Sequence, residues 1–286
     1  MPVPDTTPGL PLPTIGELPD ELWRRVEPIL TRRYPPAGTG RPRADLRMML
    51  DGIIHRMRSG CQWNRLPERF GPSSTLHGWF QRFARDGAFE QIWAELVREC
   101  EQLGAVQWEW QAADAVMGKS RFDGDKRGPN PTDRAKPGTK KSVIVEQQGG
   151  PLGVAIDGAN VHDTKLLAAT IEAVVVERPH PAEVIQHLCL DKAYDNPTGE
   201  GACEAGGYVP HIRRIGEEKL DEGGEKSRPA RRWVVERTIA WLQKCRALLI
   251  RYDKKAENYL GLIQLACALL WTRRLHRLGW GAGVLG

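Results

Sequence analysis

The apolar periodicity of this chain changes once, near residue 105, and that change limits the possible folds more than any other feature. Before it, apolar residues recur every three or four positions. Leu22, Val26, Ile29 and Leu30 form one stripe, and Leu46, Met49, Leu50, Ile53, Ile54 and Met57 form another. Such spacing predicts helices with one buried face. After it, Trp108 to Met117 and Lys141 to Val145 alternate as strands do. Helices first, then strands, then helix and strand in turn predict an α/β chain. It should hold a mixed sheet with flanking helices, preceded by an all-helical domain.

Three segments follow from this pattern. Residues 1–16 are rich in Pro, Thr and Gly and read as a disordered arm. Residues 17–104 read as four helices. Asp20 is the expected N-cap of the first, and YPPAGTG at 34–40 breaks it. The second spans about Asp45 to Gly60. After the turn-rich GCQWNRLPERFGPSS, Ser73 or Ser74 should cap the third, whose inner side carries Leu76, Trp79, Phe80 and Phe83. The fourth runs from Phe89 to Leu103. A helix, a turn and a Ser-capped helix with His77, Gln81, Arg82 and Arg85 outward resemble a helix-turn-helix DNA reader. A plain helical bundle would show the same stripes.

Residues 105–286 form the third segment. Its polar stretch at 118–139 has no apolar face and is either a flexible loop or a binding loop. Strands are expected at Lys141–Val145 and Leu152–Ile156, joined by a turn at Gln147–Gly150. A helix capped by Asp163, with His162 beside it, should span Thr164 to Val176. The short apolar run His187 to Leu190 ends at Asp191, and Tyr208 to Ile212 is a further strand after a helix near 198–207. A charged loop at 216–230 leads to two long helices, about 230–250 and 257–277.

Charge points to a polyanionic partner. The net charge is only +5, but from Arg228 to Lys255 nine basic residues are opposed by Glu236 and Asp253 alone. Clustering of that kind is the footprint of phosphate contact, although a solvated helix face looks alike. Arg213 and Arg214, paired after a strand, are further phosphate candidates. None of the 6 cysteines forms a C-x-x-C pair, so free, reduced, mostly buried thiols in the cytoplasm are expected. No signal peptide, membrane span or organic cofactor is expected.

Three carboxylates stand where a metal site on a sheet would want them. Asp114 lies in the first strand of the sheet, Asp191 at the end of a later one, and Glu236 on the helix RRWVVERTIAWL. In that helix Val235, Ile239, Leu242 and Leu249 form the apolar stripe, with Glu236 at its flank. Arg231, Arg232 and Arg237 around it should hold it ionised. Phosphodiester chemistry needs a charge clamp on the attacking and leaving oxygens, which two Mg²⁺ ions supply and Mn²⁺ can replace. Hard ions take oxygen ligands, and carboxylates on rigid strands provide them. Any one of these acids alone would more often be a cap or a solvated group.

LCLDKAYDNP, GYVPHIRRIGEEKLDE, ARRWVVERTIAWLQKCRALLIRYDKK and NYLGLIQLACALLW resemble transposases of the insertion-sequence-5 family, within the DDE transposases. GPNPTDRAKPGTKKS, GANVHDTKLL and GCQWNRLPERFG fit the same family in the same order. The resemblance covers about residues 17–275. It implies a ribonuclease-H-like catalytic fold, cleavage and strand transfer at the ends of the element, and Asp114, Asp191 and Glu236 as the three acids. It also implies a basic residue ahead of the Glu, matched by Arg232, and one beyond it, matched by Lys244 or Arg246. Where the family usually reads Asp-Gly-Ser, this chain has Asp114-Ala115-Val116. Double-stranded DNA is the implied partner, with a homo-oligomer to hold two ends and a nucleoid-associated place in the cytoplasm. A repurposed protein that only binds DNA, or a nuclease of the same fold, would share the basic patches. The presence of all three acids favours the transposase.

Overall fold

The computed structural model describes residues 17–36, 38–40, 42–212 and 232–279. The N-terminal arm, the 216–230 loop, and Arg213, Arg214 and Arg231 lie outside the described residues.

The four expected helices form: α1 (Asp20–Arg33), α2 (Leu46–Ser59), α3 (Ser73–Arg85) and α4 (Ala88–Gln102). Their apolar stripes are the buried ones. Leu22, Val26 and Leu30 of α1 and Leu76, Phe80 and Phe83 of α3 are at most 2% exposed. Asp45 caps α2 as a short acceptor should, taking the Arg47 and Met48 amides at 2.9 and 3.2 Å. Gly60, at φ 69°, ends the helix in the left-handed region.

Two caps differ from expectation. Pro19 leads into α1 and Pro72 into α3, so Asp20 is the first helical residue and neither Ser73 nor Ser74 is the cap. Proline sets the entry angle through its ring, and the helix needs no N–H there. Asp20 instead pairs with Arg47 at 2.5 Å. The α2–α3 connection is also longer than a helix-turn-helix turn, holding short 3-10 turns at Trp63–Arg65 and Glu68–Phe70. The tight turn joins α3 to α4 through Gly87, at φ 71°.

Among the described residues, seven strands make one sheet: β1 (Trp110–Ser120), β2 (Gly128–Pro129), β3 (Pro137–Glu146), β4 (Pro151–Gly158), β5 (Gln186–Leu190), β6 (Tyr208–Ile212) and β7 (Ile250–Arg251). Helices α5 (Asp163–Glu172), α6 (Pro197–Ala205), α7 (Trp233–Gln243) and α8 (Ala256–Arg277) follow in chain order between and after them. The main order is β4-β3-β1-β5-β6. β3 runs antiparallel to β1 and β4, whereas β5 is parallel to β1 and β6 to β5. This is the mixed sheet of a ribonuclease-H-like fold.

Long-range pairing moves several boundaries. β1 and β3 both run into the polar segment, pairing as far as Lys119 with Gly138. Their polar side chains satisfy one another there, as Ser120 and Thr139 do at 2.9 Å. α7 ends at Gln243 instead of continuing towards 250. The chain then makes a 3-10 turn, Arg246–Leu248, and enters β7, which pairs with the far end of β1. Leu249, expected in the buried stripe, is therefore 47% exposed.

A single apolar core runs from the N-terminal helices into the sheet. α8 joins them by packing on α3, α4 and β4. Trp93 of α4 and Trp271 of α8 both donate their indole N–H to the Pro151 carbonyl, at 3.1 and 2.6 Å. At the same place Glu146, 0% exposed, accepts from the Gln148 and Gly150 amides and pairs with Arg274 at 2.8 Å.

Candidate active site

Sheet register brings two of the acids level. Ala112 of β1 pairs in parallel with Cys189 of β5. Two residues further along each strand stand Asp114 and Asp191, and side chains two apart share a face. Asp191 lies just past β5, where its carboxylate accepts the Lys192 amide at 2.5 Å and caps the turn Lys192–Tyr194. Asp114 takes the Ala115 amide at 2.8 Å. The strand does not stop at Ala115 and Val116, so the loss of Gly-Ser after the acid leaves β1 intact.

The third acid comes from α7, which lies on β1 and β3. Val234, Val235, Thr238, Ile239 and Leu242 bury its inner side, and the Thr238 hydroxyl donates to the Gly149 carbonyl at 2.7 Å. Glu236 projects from the shoulder of that face. One turn earlier, Arg232 links α7 to the end of β5. It approaches the Asp191 carboxylate at 3.0 Å and donates to Glu236 at 2.9 Å. Arg232 was expected on DNA phosphate; here it is a bridge between two acids.

The charges of the three acids overlap. Burial raises the Asp114 carboxyl above its ordinary value; the Ala115 amide and Arg232 oppose the shift, and Asp191 and Glu236 add to it. Burial lowers the Arg232 guanidinium, but Glu236, Asp191 and Asp114 outweigh it and the net shift is upward. Tyr194 sits beneath, 1% exposed, its hydroxyl pushed up by burial and then by Asp163, Asp114 and Asp191.

A raised carboxyl has a definite pH signature. The folded chain holds the Asp114 proton to higher pH than the unfolded chain does. Stability associated with that proton is complete below the ordinary carboxyl range and is lost as pH rises through the raised value. Asp114→Asn should therefore melt higher than wild type near pH 7 without divalent metal, and the gap should close towards pH 4. Thermal melts in chelator across that range check it; equal melting at pH 7 contradicts it.

Other expected site residues scatter. Arg237 turns away from Glu236, donates to the Gln148 carbonyl and packs against Trp233 and Trp241. Lys244 ends α7 on that same side, and Arg246 is exposed on the following turn. On α3, Arg82 and Arg85 face outward and Gln81 is half-buried. His77 is also half-buried: its ring is tilted against that of Trp63 with centres 4.8 Å apart, and burial lowers its imidazole.

At α5 the expected roles reverse. His162 is the N-cap, its ring nitrogen accepting from the Thr164 amide, and Asp163 pairs with Lys140 at 2.5 Å. Tyr194 was not foreseen, since it carried no charge to mark it.

All three acids offer hard oxygen donors, which suit a divalent ion. As the side chains lie, no group of three His, Cys, Asp or Glu among the described residues is close enough to hold one. The Arg232 guanidinium stands where such a cation would neutralise Asp191 and Glu236.

A ribonuclease-H-like sheet with acids on its central strand, on the parallel neighbour and on a flanking helix belongs to the class of enzymes that act on nucleic-acid phosphodiesters. Comparison with known proteins narrows the class. Residues 109–271 match the family model described as the transposase DDE domain, and residues 18–93 match one for transposases of the IS4/5 family. A transposase for insertion sequence element IS402 of Burkholderia cepacia is 33% identical over 165 residues, 57% of this chain and 76% of its own length. An uncharacterized 16.2 kDa protein of the same element is 27% identical over 39% of this chain and 79% of its own. Among solved structures, the Mos1 mariner paired end complex with Mn aligns over 86% of each chain at 10% identity, with a TM-score of 0.27. The chain belongs to the DDE transposase family. It is a DNA transposase, and the family uses divalent metal to cleave DNA and transfer strands.

Proposed function

We propose that Asp114, Asp191 and Glu236 are the catalytic carboxylates of this transposase and the ligands of its metal, two Mg²⁺ ions that Mn²⁺ can replace. The observation that supports this best is the pairing of Arg232 with both Asp191 and Glu236, with Asp114 of β1 near enough for all three charges to act on its carboxyl. When bound, the metal supplies the charge clamp on the attacking and leaving oxygens. The chain's own groups orient the ligands. The Ala115 amide fixes Asp114, the Lys192 amide fixes Asp191, and Arg232 turns Asp191 and Glu236 towards each other.

The substrate on this reading is double-stranded DNA, both the ends of the chain's own insertion sequence and the target. One active site per end implies a homo-oligomer once two ends are paired, working at the nucleoid. An assay with labelled element-end duplex and either metal separates binding, cleavage and joining. Binding with no cleavage in either Mg²⁺ or Mn²⁺ rejects the assignment of the acids.

The outer face of α3 is the proposed reader of the ends. Arg82 lies over Tyr34 and Trp79, 4.7 and 5.0 Å from their ring centres, so its fork is oriented before DNA arrives. Arg82→Ala should cost about 1–3 kcal/mol in discrimination between end and random duplex if it meets a base edge. Arg85→Ala should instead weaken both alike, lowering the slope of log K against log salt by ~0.9 if it meets phosphate. Competition binding at several salt concentrations measures both. Unchanged end preference and slope in the double variant put the reader elsewhere.

A further inference from the structure

α7 has a second shoulder. Residue 237 is about 100° round the helix from residue 236, and on that side lies a cleft of about 630 Å³ between α7, α8 and the turn at Gln147–Gly150. Arg237, Lys244, Arg273, Arg274 and Arg277 line it, and none of the described lining residues is acidic. Glu146 lies buried beneath, already paired with Arg274.

The cations are held in place for a ligand. Arg237 lies 4.6 and 4.8 Å from the Trp233 and Trp241 ring centres, and its buried Nε has no hydrogen-bond partner. Arg274 lies over Trp271 at 4.5 Å and donates to the Ala105 carbonyl at 3.1 Å. Burial lowers Arg237, and Arg274 and Arg277 lower it further against the pull of Glu146. Burial likewise lowers Arg273, followed by repulsion from Arg58 and, after the opposing Cys245, from Arg277. The cluster thus keeps unrelieved positive charge. Arg237 already packs on two of the indoles, so the fitting ligand is an anion and not a stacked base. Planar forks held this way suit phosphate oxygens.

We propose that this cleft clamps the phosphodiester backbone of the DNA strand that passes the acids, without reading its bases. The inference rests on the transposase reading for the origin of that strand. Its test is binding, so a failure of the acids to cut would leave it standing.

The full chain carrying Arg273→Gln and Arg277→Gln is titrated with random-sequence duplex across a salt series. Arg274 is left alone because removing it strands Glu146. Two lost phosphate contacts should lower the slope of log K against log salt by about 1.8, at ~0.9 each. Preference for element ends over random DNA should stay as in wild type. Arg273→Lys with Arg277→Lys should restore most of the slope. Trp233 is 51% exposed at the cleft, so duplex should change tryptophan emission in wild type and less in the Gln variant. A wild-type slope in a Gln variant of unchanged melting temperature overturns the proposal. So does a Lys variant no better than the Gln one. Equal emission change with inorganic phosphate at matched ionic strength overturns the backbone assignment.

Discussion

Asp191→Ala should cut strand cleavage by about 100- to 1000-fold or more, the scale seen when a group that stabilises developing charge is removed, while element-end binding holds or tightens. Asp191 caps one short turn and otherwise meets Arg232 at 3.0 Å. On the proposed assignment, removing it takes away a metal ligand and one negative charge facing the phosphate. It also frees half of the Arg232 fork, which among the described residues keeps Glu236. A guanidinium released beside the scissile position attracts DNA. Parallel cleavage and binding titrations, with melting temperature as a control for folding, check the two effects separately. Wild-type cleavage by this variant would end the carboxylate reading; weaker binding would show that Arg232 does not face the DNA.

The second large effect is on stability and lies away from the acids. Glu146→Ala should destabilise the fold by about 3–5 kcal/mol, because it leaves a mostly buried cation uncompensated and two turn amides without their acceptor. Glu146 is fully buried and pairs with Arg274, whose side chain is 17% exposed. It also takes the amides of Gln148 and Gly150 and so closes the turn on which α7 rests. At about 2–4 °C per kcal/mol for a large domain, the melting temperature should fall by roughly 6–20 °C. Glu146→Gln should fall less, since its amide oxygen can still accept one of the two backbone N–H groups. Equal melting of all three proteins would mean that water reaches Arg274.

What the sequence revealed depended on how local the cause was. The stripes of α1 to α4 were legible because each is a repeat within one helix. Asp191 was legible because an apolar run ends on it. The tip of the sheet was not. β1 and β3 extend through polar residues only because each has the other as partner, and β7 is two residues whose identity says nothing without β1. For the same reason the end of α7 was missed: Lys244-Cys245-Arg246 contains neither Gly nor Pro to mark it. At the site, the three acids fit the residue types that the chemistry needs, and Arg232 was expected beside Glu236 but not against Asp191. Its contact with Asp191 crosses from α7 to β5 and leaves no local trace. His77 misled in the opposite way. Its helical position was polar, but Trp63, from the preceding turn, covers it.

The shared carbonyl of Pro151 has a consequence for how the molecule measures DNA. Indoles from α4 and α8 converge on that single oxygen, and α8 packs on α3. The proposed reading helix and the three acids are thus parts of one stiff frame. If α3 reads and these acids cut, the cut in such a frame falls at a fixed offset from the bases that are read, as with a caliper whose jaws are locked. Lengthening the stretch between α4 and β1 would not move the cut along the DNA. Nor could α3 be exchanged for that of a relative with another end sequence unless the matching surface of α8 travelled with it.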